Sequence, residues 1–285
     1  MAHQGHQATE HPRHNSMNLP LTHWQIHSNM STPATDYRWT PRCTRHLVFQ
    51  WRMHSQIKPL DRACFSCSQV RTQQSPGMLL PSATAMGATF DRRLMRSVGR
   101  MLGRETREKG CHVMLAPTVC LQPSPLIGRG FEAFGEDSWL SGTLASDSEN
   151  GVQFESVACA IIHYAAHDQS TMSQEDSIWA SERTLRELHL LPFQIAAKQA
   201  NPWSIMTSYH KINGIHTAEH PWLINQVLRE DWGWDGLVMS DWFGTYSTTE
   251  ALDAGLDLEM PGPTIWRGQL LFWAVISKKP EAGDS

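Results

Sequence analysis

From residue 76 onward, short apolar runs alternate with stretches whose apolar residues recur at helical spacing, and few architectures accommodate that alternation. Val157-Ala-Cys-Ala-Ile-Ile162 is a continuous apolar run, as expected of a strand buried on both faces. Further short strands are read at His112–Leu115, Ser204–Met206, 236–240 and 255–260. Between them, Asp91 opens a helix with apolar Leu94, Met95, Val98, Met101 and Leu102, ended by Gly110. A second helix covers 139–150. Ser181 opens a long one through Leu185, Leu188, Leu191 and Ile195, and others run from Pro221 to Arg229 and from Arg267 to Lys278. The pattern predicts a parallel sheet with helical crossovers and about five strands after residue 110. A closed barrel takes eight. The expected fold class is therefore α/β, a TIM-like (β/α)8 barrel that is incomplete, with an irregular N-terminal segment.

The 285 residues change character near residue 76. Residues 1–75 hold eight Lys/Arg and three Asp/Glu, about +5, which leaves −9 for the remainder of a chain whose net charge is −4. Eight of the 15 His lie in this first part, which is rich in Gln, Ser, Thr and Pro and shows little periodicity. The expected division is an irregular segment over 1–75, the regular domain over 76–279 and a tail over 280–285. Cys64 and Cys67 form one pair with no second pair to complete a zinc site, and the His spacing is not a ligand pattern. The charge balance carries no nucleic-acid signature, and no run approaches the ~18 apolar residues of a membrane span. No basic-then-apolar leader stands at the N-terminus, so the expected location is cytoplasmic by default, or secreted if the true start lies elsewhere.

The run Leu237-Val-Met239 ends at Ser240 and Asp241, followed by Trp242. In parallel α/β proteins, catalytic side chains are displayed at the C-terminal ends of strands. A carboxylate there, beside an indole, suits sugar chemistry. Asp241 as a plain helix cap is an equally good reading of the pattern alone.

Several blocks, in order, resemble the fungal β-glucosidases of glycoside hydrolase family 3. They are Pro81-Ser-Ala-Thr-Ala-Met-Gly-Ala-Thr-Phe-Asp91, Gly128-Arg-Gly-Phe-Glu-Ala-Phe-Gly-Glu-Asp137, Ser181-Glu-Arg-Thr-Leu-Arg-Glu187 with Leu190-Leu-Pro-Phe-Gln194, Gly236-Leu-Val-Met-Ser-Asp241-Trp-Phe-Gly-Thr-Tyr-Ser-Thr, and Ala254-Gly-Leu-Asp-Leu-Glu-Met-Pro-Gly-Pro263. The resemblance implies a (β/α)8-like barrel and retaining hydrolysis of terminal β-D-glucosyl residues, in which a carboxylate attacks the anomeric carbon. It puts Asp241 at the nucleophile and Arg129, His163, Tyr209, Met206 and Trp242 around the sugar. Glu136 and Asp137 are expected to organise the following helix. The resemblance implies a small β-glucoside or oligosaccharide as partner, and no metal or organic cofactor.

The chain departs from the family pattern at named positions. Ile162 stands where the family has the Lys of a Lys-His pair, and losing a charged hydrogen bond costs about 1.5–3 kcal/mol. His167-Asp168-Gln169-Ser170 replaces Asn-Asp-Gln-Glu, and His210 replaces an Asn. The Ser-Asp-Gly-Pro-Asn-Gly block is not found before residue 76, and the acid/base Glu is expected beyond this chain. Barrel-only β-N-acetylhexosaminidases use Asp-Ser-His on a loop where this chain has Asp176-Ser177-Ile178. The expectation is a β-glucosidase-like chain of weak or no turnover. A non-catalytic carbohydrate-binding remnant or unstable fragment is the alternative, and a barrel-only hexosaminidase a weaker one.

Overall fold

Asp91 caps the first long helix: its Oδ1 accepts the N–H groups of Arg93 at 2.9 Å and Leu94 at 3.0 Å. The computed structural model describes residues 78–109, 111–169 and 174–277. The expected stop at Gly110, the Cys64–Cys67 pair and the irregular segment lie outside the described residues.

In chain order, a short helix α1 (Ala83–Gly87) precedes the capped helix α2 (Arg92–Glu108). Then come β1 (Val113–Met114), α3 (Ser138–Phe154), β2 (Ala158–Tyr164), β3 (Ser177–Ile178) and α4 (Leu191–Gln199). They are followed by β4 (Ser204–Thr207), β5 (Lys211–Ile212), β6 (Ile215–His216), β7 (Leu237–Met239), α5 (Thr249–Asp253) and α6 (Gln269–Ile276). Asp137 caps α3, its Oδ1 accepting the Leu140 N–H at 2.6 Å. Glu136 makes no such cap. Among the described residues no helix is long and apolar enough to cross a membrane.

β1, β2, β4 and β7 form one parallel sheet in that order, so each strand pairs with its predecessor through a helical crossover. Alternation along each strand splits its side chains between two faces. Ile161, Ile205 and Val238 pack into the large core with Phe193, Leu223 and Val227. Ala160, Ile162, Met206, Leu237 and Met239 form a second cluster. Tyr164 is fully buried in the first core, edge-on to Phe193, and its hydroxyl donates to the Leu223 carbonyl at 2.9 Å.

Helices α2 and α3 approach closely because glycines face each other. A Cβ on Gly99 would lie 2.1 Å from the Ser148 carbonyl oxygen, and one on Gly151 would lie 2.3 Å from that of Arg96.

Three expectations are corrected. The single helix from Ser181 to Ile195 is broken. Ser181 caps a helical turn, Glu182–Thr184, which passes into a π-helical turn, Leu185–His189, before α4 begins. Pro192 has no N–H to continue an α-helical ladder, and the Leu190 N–H reaches back five residues to the Leu185 carbonyl at 2.8 Å. The helix expected from Pro221 is instead π-helical over Trp222–Asp231. The strand expected over 255–260 contracts to one parallel bridge, Leu258 to Met239, because Gly255 turns at φ +96°.

The strand count also changes. Besides the four-stranded sheet there is a three-stranded one, ordered β3, β5, β6. β5 and β6 form a hairpin across Asn213 (φ 51°) and Gly214 (φ 90°), the pair of positive φ angles of a type I′ turn.

Candidate active site

β7 delivers Asp241. Leu237 and Met239 point into the second cluster, and two residues further on the same face ends in the Asp241 carboxyl, 7% exposed. Its Oδ1 accepts the Trp242 N–H at 2.6 Å. Oδ2 is buried and takes no hydrogen bond of full geometry, although the Tyr209 hydroxyl acts on the carboxyl as a donor. From β2, His163 Nε2 lies 3.5 Å from Oδ2. The register of β2 on β4 slips between Ile161 and Tyr164, three steps against two, and such an irregularity re-aims side chains.

Burial pushes the Asp241 carboxyl up to about 6, against the Trp242 N–H, the Arg129 charge and the Tyr209 hydroxyl, which favour the carboxylate. Burial also drives His163 well below the usual imidazole range, aided by Arg129, so its ring is neutral beside Asp241. The Tyr209 hydroxyl, on the segment after β4, is pushed up by burial and by the Asp241 charge and stays a phenol. Tyr246 is raised to about 12 by burial and then by Asp241, and its hydroxyl donates to the Tyr209 carbonyl at 3.4 Å.

Arg129 comes from the loop before α3, at the entry to the short 3-10 turn Gly130–Glu132. Its Nε and Nη2 donate to the two oxygens of Glu132 at 3.1 and 2.7 Å, and Glu132 is 1% exposed. The fork leaves the rest of the guanidinium toward a small cavity it shares with Cys120, Glu132, His163, His167 and Asp168. Asp168 is held by the Leu121 N–H at 2.9 Å and lies 2.7 Å from His189 Nδ1.

The fold thus brings Arg129, His163, Tyr209 and Asp241 into one electrostatic neighbourhood. Met206 lies beneath it, 2% exposed, in the same apolar cluster as Ile162. Trp242 is half-buried against that cluster. Ile178 packs against the large core, and Ser177–Ile178 pair with β5, so the Asp176-Ser177-Ile178 loop is tied into the small sheet. Ser170 lies outside the described residues.

The sequence offers Glu132 and Glu136 equally as charges beside Arg129, and the fold selects Glu132; it does not mark Tyr246 as a second phenol near the carboxyl. The three-residue spacing of Arg129 and Glu132 is what favours that pair; nothing local marks Tyr246. Sequence reasoning noted His167 and His210 only as departures, whereas their Nδ1 atoms are 3.1 Å apart.

Residues 67–278 match the glycosyl hydrolase family 3 N terminal domain. The probable beta-glucosidase I of Neosartorya fischeri is 51% identical over 204 residues, 72% of this chain and 24% of that protein. The probable beta-glucosidase K of Emericella nidulans is 52% identical over 200 residues, 70% of this chain and 24% of its own. Among solved structures, the beta-glucosidase of Kluyveromyces marxianus in complex with glucose aligns at TM-score 0.67 and 44% identity, over 68% of this chain and 23% of that one. Beta-glucosidase 3B of Thermotoga neapolitana in complex with glucose aligns at TM-score 0.70 and 38% identity, over 74% and 31%. The chain spans about a quarter of the length of the curated relatives it matches. With the family model matched across most of its length and half the aligned residues identical to these relatives, the chain belongs to glycosyl hydrolase family 3.

Proposed function

We propose that this chain carries the nucleophile and the sugar-binding wall of a retaining β-glucosidase, acting on terminal non-reducing β-D-glucosyl residues. The observation that carries the reading is Asp241 Oδ2, a buried carboxylate oxygen without a hydrogen bond of full geometry at the C-terminal end of a parallel strand. A buried polar atom left open calls for a role. With Oδ1 fixed by the Trp242 N–H, Oδ2 is the atom free to attack an anomeric carbon.

The neighbours fit that step. Arg129 and Tyr209 favour the ionised carboxylate, and His163, being neutral, does not tie it up as an ion pair. The same three side chains would hold sugar hydroxyls, with Met206 and Trp242 supplying apolar surface. We assign the domain to residues 76–279 and read the sheet as part of a (β/α)8-like barrel. The sequential strand order and the apolar cluster on the face away from the main core support this.

Protonation of the leaving group has no candidate among the described carboxylates of the pocket. Glu132 is engaged by Arg129, and Asp168 by Leu121 and His189. Retaining hydrolysis needs a second carboxyl about 5–5.5 Å away. Turnover of ordinary glucosides by this chain is therefore expected to be weak, and a leaving group that needs no proton separates the roles. With 2,4-dinitrophenyl β-D-glucoside, a burst of dinitrophenolate is expected that Asp241→Asn abolishes. Protection by glucose in thermal unfolding without a burst would leave a carbohydrate-binding chain, and neither would sink the reading.

A further inference from the structure

Away from Asp241, the outer face of α2 repeats arginine at every fourth position: Arg92, Arg96, Arg100 and Arg104. Four-residue spacing puts these side chains on one face, about 6 Å apart along the axis. The face borders a groove of about 490 Å³ lined by Arg92, Arg93, Arg96, Ser97, Arg100 and Asp147. It shares no residue with the small cavity beside Arg129 and His163.

One carboxylate stands among four guanidiniums, and it is committed. Asp147 of α3 is 3% exposed, and its two oxygens accept from Arg92 Nε at 2.5 Å and Arg96 Nη2 at 2.6 Å. That holds both forks in place while leaving their remaining N–H groups on a surface where the side chains are 57% and 51% exposed. Arg100 is steadied over the Phe154 ring at 4.1 Å. Among the described residues neither Arg93 nor Arg100 has an ion-pair partner. The lining carries three positive charges in excess, in a region after residue 75 whose sum is −9. No aromatic ring lines it, which argues against a second sugar platform.

We propose that this groove binds a compact anion bearing two linked tetrahedral oxyanion groups, a diphosphate being the simplest. Guanidinium forks match such oxyanions in geometry and charge. Arg92 and Arg96 are pinned at one end by Asp147, and Arg100 lies up to two turns further on, so two linked groups bridge them and one does not.

The test is calorimetric titration of the full 285-residue chain with inorganic pyrophosphate and with sulfate, at matched ionic strength and with chelator present. Pyrophosphate is expected to bind at least tenfold more tightly than sulfate. Arg93→Ala combined with Arg100→Ala touches neither contact to Asp147 and is expected to weaken pyrophosphate about tenfold or more, with thermal unfolding lowered only by loss of the Arg100–Phe154 contact. Equal affinity for both anions, or pyrophosphate binding unaffected in the double variant, would overturn the proposal. So would a single-stranded RNA oligonucleotide that outcompetes pyrophosphate per site, which would make the stripe a nucleic-acid surface.

Discussion

His167 Nδ1 lies 3.1 Å from His210 Nδ1, the two rings meeting from segments 43 residues apart. One nitrogen must carry the proton and the other accept it, so the contact exists only while at least one ring is neutral. Burial depresses both: His167 falls to about 3, pushed further by His210 and Arg129, and His210 falls although Asp168 and Asp176 pull it upward. Both positions depart from the asparagines of the family pattern, and the two departures touch.

Acid should therefore unfold this protein early. An unfolded histidine takes a proton near its ordinary 6.5, while the folded His167 resists until about 3. The unfolded state binds more protons throughout that interval, so the stability contributed by this ring is full above pH 6.5 and falls as pH drops below it. Replacing both rings together, His167→Asn with His210→Asn, is expected to flatten the loss between pH 6.5 and 4.5 by on the order of a few kcal/mol. Urea unfolding at a series of pH values measures it; an unchanged slope would mean the rings are already charged or solvated in the folded state.

The α2–α3 contact makes a prediction that does not depend on function. Alanine at Gly99 would place a Cβ 2.1 Å from the Ser148 carbonyl oxygen and 3.1 Å from the Gly151 Cα. Both are backbone atoms and cannot rotate away. Overpacking of this kind costs roughly 1–3 kcal/mol or more. Gly99→Ala should lower the unfolding midpoint by several degrees, whereas alanine at Gly135, which meets nothing within 4 Å, should not.

What could be read from the chain follows from how local each cause is. Asp91 and Asp137 were legible because a cap is made within three residues. The strands at 157–162, 204–206 and 237–239 were legible because two-sided burial demands apolar runs. The helix after Ser181 was overextended although Pro192 was visible, since its effect is expressed only through the Leu185–Leu190 bond that replaces the normal ladder. The β5–β6 hairpin was missed with its signal in view, Asn213-Gly214 between Ile212 and Ile215. At the site, Asp241, Arg129, His163 and Tyr209 came from a family pattern that encodes three-dimensional adjacency. The His167–His210 contact departs from that pattern, and no local periodicity joins positions 43 residues apart.

Arg129 and Glu132 should behave as one unit in stability and as two in binding. Glu132 is 1% exposed and both its oxygens rest on the Arg129 fork. Removing the cation alone strands a buried carboxylate, at about 3–5 kcal/mol. Arg129→Met should be strongly destabilising, and Arg129→Met with Glu132→Leu should recover most of that loss. Protection by glucose should return in neither, if Arg129 also holds the sugar. Recovery of protection in the double variant would show that Arg129 serves only the fold.

Asp241 should impose opposite pH effects on stability and on reactivity. Its folded pKa, near 6, is above the ordinary value of 3.8, so between those values the folded state holds a proton the unfolded state has lost. Stability from this group is full below about pH 4 and declines as pH rises through 6. Reactivity runs the other way, because attack needs the ionised Oδ2, and the burst rate should fall about tenfold for each pH unit below 6. Asn resembles the protonated acid and carries no charge. Asp241→Asn should thus leave stability nearly unchanged at pH 4, raise it by about 2–3 kcal/mol at pH 7.5, and abolish the burst at every pH. A stabilisation that does not grow with pH would show that the carboxylate is not strained by its burial. The free Oδ2 would then lose its standing as the attacking atom.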